Sequence, residues 1–93
     1  MEVKQKIDTK MLQMEGGRIV RLDYCLLAQL DRAKNCFTGP YGMEIVGTKE
    51  GGVYRECCRN MTNDYKKAVA LIHAFAASGV TPMRMLQKIS KDT

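Results

Sequence analysis

The sequence predicts an α+β fold of order ββββαα: a four-stranded antiparallel sheet with two C-terminal helices packed on one face. Three observations predict it. From Arg18 to Asp31, residues Val20, Leu22, Tyr24, Leu26, Ala28 and Leu30 take every second position, the period of a strand with one buried face. From Thr62 to Ser78 the period becomes helical: Tyr65, Val69, Ile72 and Ala76 form one row and Ala68, Leu71 and Phe75 the row beside it. The pairs Gly16-Gly17 and Gly51-Gly52 punctuate alternating segments as hairpin turns do, because glycine takes positive φ without steric cost.

Taken in order, Val3 to Met14 alternates weakly, with Ile7, Thr9 and Met11 on one side and Lys6, Asp8 and Lys10 on the other. This reads as an exposed or edge strand. Arg18 to Asp31 is its hairpin partner; a helix over Leu22 to Leu30 is the competing reading, since Leu22, Leu26, Leu27 and Leu30 also fit helical spacing. Asp31 to Pro40 reads as a mobile polar connection broken by Asn35, Gly39 and Pro40. A third strand from Tyr41 turns at Lys49-Glu50-Gly51-Gly52 into a fourth, Val53 to about Met61. Alternation leaves the buried face of that strand open, and Val53, Cys57 and Met61 form the better core set, with Arg55 and Arg59 at its border. Thr62 is the expected N-cap of the first helix, with Asp64 in its first turn and Gly79 as its left-handed stop. Thr81 and Pro82 open the second helix, Val80 is placed to staple onto Met85, and Met85, Leu86 and Ile89 form its apolar edge.

Ninety-three residues form one domain, too short for a substrate domain plus a cofactor domain. The net charge of +5 favours acidic partners, and the excess lies late: seven basic and six acidic residues up to Val46, eight and four after it. No apolar run approaches a bilayer span and MEVKQKIDTK lacks a signal-peptide core, so a cytoplasmic protein without a membrane partner is expected. In that setting Cys25, Cys36, Cys57 and Cys58 are expected as reduced, buried small hydrophobes. A zinc site from Cys25, Cys36, one of the adjacent pair and His73 is the alternative, although no CxxC knuckle exists.

The segments Tyr41-Gly42-Met43-Glu44-Ile45, Arg59-Asn60-Met61-Thr62-Asn63-Asp64 and Val80-Thr81-Pro82-Met83 resemble a family of small uncharacterised proteins from anaerobic Gram-positive bacteria. That family shows a Tyr-Gly-Ile-Glu-like strand, a strand ending in a Ser/Thr-x-Asp helix start, and a closing helix opened by Ser/Thr-Pro. The resemblance spans Arg18 to Asp92 and departs in the cysteines and in the closing helix, where MRMLQKISKD replaces a more acidic segment. It implies the fold and leaves function open.

No constellation for catalysis emerges. His73 has no Ser, Cys or acid at a helical spacing, Cys57 and Cys58 lack a base, and the glycine pairs lack the frame of a phosphate loop. No catalytic residue, metal ligand or cofactor is therefore assigned. Met83 and Met85 with Met11 and Met14 could form an adaptable contact surface. The cations Arg55, Arg59, Lys66, Lys67, Arg84, Lys88 and Lys91 are the expected partner- or phosphate-binding set, with Tyr54 or Tyr65 for stacking. The function expected is a non-enzymatic module that binds and modulates a larger protein or nucleoprotein. An inhibitor from a phage or mobile element, such as an anti-CRISPR protein, is of that size and type. The alternative is direct binding of nucleic acid or a phosphorylated ligand.

Overall fold

A computed structural model of the chain describes residues 1–49 and 51–92; the side chains of Leu86, Ser90, Lys91 and Asp92 lie outside that description. Four strands, β1 (Glu2–Gln13), β2 (Ile19–Asp31), β3 (Cys36–Lys49) and β4 (Gly52–Thr62), precede α1 (Tyr65–Ser78) and α2 (Pro82–Asp92). The sheet is antiparallel in the order β1-β2-β3-β4, each strand beside its sequence neighbour. Both helices lie on one face. There Leu22, Tyr24, Leu26 and Ala28 of β2 and Tyr41, Met43 and Ile45 of β3 meet Ala68, Ile72, Phe75, Ala76, Val80, Met85 and Ile89. The alternation of β2 and the paired rows of α1 are thus the two halves of one core, and the helical reading of Leu22 to Leu30 does not apply. The buried hydroxyl of Tyr24 donates to the Val80 carbonyl at 2.9 Å, tying the central strand to the joint between the helices. Burial pushes that phenol up to about 12, so it stays a donor.

Irregularities in three strands re-sort residues that strict alternation misplaces. Register slips between Lys6 and Asp8, so Lys6 faces Cys25 while Asp8 faces Tyr24. One extra residue reverses the parity of the rest of the strand. Asp8, Lys10 and Leu12 therefore lie on the helix side with Ile7, and Thr9 and Met11 on the other, correcting the expected split of β1. The consequence is polar anchoring of an edge strand: Asp8 Oδ2 lies 3.2 Å from His73 Nδ1, and Lys10 Nζ donates to the Ala77 carbonyl at 2.9 Å in the last turn of α1.

In β3 the slip falls over residues 39–41, opposite Ala28, and it admits Pro40 into a strand. The expected loop of Asp31 to Pro40 shrinks accordingly to the turn 32–35. Asp31 accepts bonds from the amides of Ala33 and Lys34, and Asn35 takes φ 51°. In β4, residues 59–61 oppose Gly42 alone, with Asn60 at φ 57°. Before this bulge Tyr54, Glu56 and Cys58 share the helix side with Gly47, Ile45 and Met43. Val53, Arg55 and Cys57 face away, so Val53 and Cys57 are not core residues, and Met61 packs against the core only because the bulge turns it there.

The cap of α1 is Asp64, whose carboxylate accepts from the Lys67 amide at 3.1 Å; Thr62 ends β4 and its hydroxyl accepts from the Asp64 amide. Two orphan donors are satisfied by the side chains of Thr62 and Asp64, where the sequence predicts a single cap at Thr62. Gly79 closes α1 at φ 65° as expected. Val80 and Met85 are both buried, consistent with the expected staple, while Leu86 lies outside the described side chains.

Candidate functional site

The face away from the helices is an ion-paired surface built from β1 to β4. Lys4 stands opposite Leu27 and Glu44 opposite Cys25, and their bond of 2.8 Å passes diagonally over β2. That bridge explains why Leu27 and Cys25 are only 4% and 5% exposed on a face with no second layer. Burial pushes the Cys25 thiol up, away from the reactive thiolate. Arg59 reaches from β4 to bind Glu2 on β1 with two bonds of 2.9 and 3.1 Å, and its Nη1 donates to Cys57 Sγ at 3.1 Å. The bond to Arg59 lowers the Glu2 carboxyl and raises the guanidinium. Arg21 lies 3.2 Å from Asp23, and Lys6 4.0 Å from the same carboxylate.

The expected set of binding cations is divided by this sheet. Arg55 and Arg59 lie on the ion-paired face, and Arg59 is committed to Glu2. Lys66 and Lys67 are exposed in the first turn of α1, and Arg84 and Lys88 on α2, on the opposite side. The side chain of Lys91 is outside the description. Among the described residues, no single phosphate-tracking surface gathers this set.

His73 does acquire a carboxylate, brought by the β1 bulge instead of by helical spacing. The pair is exposed, and its first effect is to hold the Asp8 carboxyl below the usual carboxylate range. Cys57 and Cys58 point to opposite faces as alternation requires, Cys36 is exposed at the start of β3, and Cys25 is sealed under the Lys4–Glu44 bridge. Among the described residues no group of three or more His, Cys, Asp or Glu side chains could hold a metal ion. Nor is any helix among them long and apolar enough to cross a membrane.

On the helix side the sheet outruns its cover. A strand of 13 residues such as β2 extends about 43 Å, whereas the 14 residues of α1 span about 21 Å. Apolar surface is left uncovered beyond both ends. At one end a cleft of about 630 Å³ is lined by Val3, Leu26, Ala28, Phe37, Tyr41 and Tyr65, the last two rings meeting edge to face at 5.7 Å. Its single lysine, Lys4, is bonded to Glu44.

At the other end, where α2 begins, a groove of about 240 Å³ is walled by Leu12, Met14, Val20, Tyr54, Pro82 and Met83 over a floor of Leu22 and Gly47. Met83 is 91% exposed, Tyr54 52% and Met14 48%. Of the four methionines expected to share a surface, only Met14 and Met83 do so: Met85 is fully buried, and Met11 opposes Arg21 on the ion-paired face. Sequence reasoning does not bring Leu12, Val20 and Tyr54 to one site, because their convergence depends on the β1 bulge and the face of β4. Met83 does carry a local signal. It lies about 160° around α2 from the Met85 stripe, an apolar residue with no core to serve.

Residues 3–91 match a family model. The chain belongs to DUF6514, a family of unknown function. The DUF6514 match begins well before Arg18, so it takes in nearly all of β1, whose bulge turns Leu12 toward the groove beside Met14. No curated protein and no solved structure matches the chain.

Proposed function

We propose that this DUF6514 chain is a non-enzymatic interaction module that docks on a larger protein through the groove at the start of α2 and so modulates it. The observation that carries this reading is the convergence of Met14, Tyr54 and Met83, three large exposed apolar side chains, around one groove. Contiguous exposed apolar surface is costly in water and marks sites that a partner covers. Methionine and tyrosine suit such a site, the first because its unbranched thioether adapts to different shapes, the second because it buries much area with few rotatable bonds. Against direct nucleic-acid binding stands the separation of the cations: a phosphate backbone needs a continuous positive track, whereas here Arg55 and Arg59 lie behind the sheet from Lys66, Lys67, Arg84 and Lys88.

The test is affinity capture from a nuclease-treated native lysate with the wild-type chain and with the double variant Met14→Ser/Met83→Ser. Both positions are exposed, so the fold should keep its stability within about 0.5 kcal/mol per site. A protein retained by the wild type, resistant to nuclease and lost from the variant is the expected result. Retention that disappears with nuclease, or that persists in the variant, contradicts the proposal.

A further inference from the structure

We infer that the segment received by this groove is an acidic, apolar stretch of the partner protein, an inference that rests on the docking reading above. The groove does not end at α2. A second cleft of about 530 Å³, lined by Met14, Glu15, Arg18, Val20 and Lys49, shares Met14, Val20 and Lys49 with the first. Together they form one trough along the uncovered end of the sheet, from Met83 to the 3-10 turn Glu15–Gly17. An elongated trough with apolar walls suits a peptide segment that lays successive side chains into it.

The charge on its rim selects the chemistry of that segment. Lys49 lines both clefts, and its ammonium sits 4.6 Å from the centre of the Tyr54 ring, held over the aromatic face by the ring quadrupole. Arg18 lines the outer part. Neither forms an ion pair among the described residues, in contrast to Lys4, Lys6, Arg21 and Arg59 on the other face, and Glu15 is the sole described acid in the lining. Two cations beside apolar walls favour a ligand that brings carboxylates next to aliphatic or aromatic anchors. A second copy of the chain fits less well, because a two-fold contact would place Lys49 and Arg18 against themselves in a protein already at +5.

The experiment is selection of a random displayed peptide library on the wild-type chain, followed by affinity measurement of the enriched peptides on variants. The expected outcome is enrichment of peptides combining Asp or Glu with large apolar residues. Their affinity should fall about tenfold or more in Lys49→Glu/Arg18→Glu and similarly in Met14→Ser/Met83→Ser, with unfolding midpoints of both variants unchanged. Peptides lost from the methionine variant but free of acidic residues and indifferent to charge reversal overturn this inference and leave groove docking intact. Peptides indifferent to the methionine variant contradict docking at the groove itself. Failure to enrich any peptide overturns the acidic-segment inference.

Discussion

Replacing Phe75 by alanine should lower the free energy of unfolding by about 3–5 kcal/mol. Phe75 is 2% exposed and is the largest side chain that α1 contributes to the core, standing among Ile72, Ala76 and the β2 and β3 residues beneath. Truncation removes the transfer free energy of a phenyl ring and leaves a cavity that a rigid sheet cannot close. Domains of this size have about 5–15 kcal/mol in total, so the variant should be near the limit of folding at 37 °C. Urea unfolding followed by far-ultraviolet circular dichroism measures it: the midpoint should fall sharply while Phe75→Leu recovers most of the loss. A loss below about 1 kcal/mol would mean that the helix layer is not what holds the sheet.

A methyl group at Gly42 should be almost as damaging, for the opposite reason. A Cβ built there would lie 2.4 Å from the Cys58 carbonyl oxygen and 3.0 Å from Arg59 Cα, both backbone atoms of the β4 bulge that folds over this residue. Backbone cannot step aside as a side chain can, so Gly42→Ala should cost about 1–3 kcal/mol or more through overpacking. The natural control is Gly52 in the same sheet, where an added Cβ would meet only the Tyr54 ring at 3.9 Å. Gly52→Ala should change stability by no more than about 0.5 kcal/mol. Equal effects at the two positions in urea titrations would show that the β4 bulge does not close on Gly42.

Much of this architecture is legible in the sequence, and the parts that are not lie in the strands. Val20 to Ala28 and Tyr65 to Ala76 announce themselves because their periods are unbroken, and Gly79 and Pro82 mark helix ends through local backbone chemistry. Two of the three misplacements fall at bulges. Alternation puts Thr9 and Met11 on the wrong side of β1, Gly39 and Pro40 read as loop because they are breakers, and in β4, where alternation leaves the face open, the better apolar set Val53 and Cys57 is preferred to Tyr54 and Cys58. The one-residue bulge of β1 reverses parity without a compositional signature, the two extra residues in β3 and in β4 leave parity unchanged, and Pro40 reads as a breaker unless the slip that admits it is known. The candidate site inherits the same limit. Met14 and Met83 stand out as unusual methionines, but their meeting with Tyr54 and Lys49 depends on those parities and on a helix shorter than the strands beneath it. The described cations of the expected set are divided by the sheet between them, a separation that no linear count of charge contains.

The seven methionines offer one direct test of docking, since they sample both faces and the core. With their methyl groups labelled with carbon-13, the partner retained by the wild-type chain, or the peptide selected on it, is added and each methyl resonance is tracked by nuclear magnetic resonance. Docking at the start of α2 requires that Met14 and Met83 shift, while Met43 and Met85, both fully buried, and Met11 on the ion-paired face stay in place. Shifts centred on Met11, or none at Met14 and Met83, would contradict it.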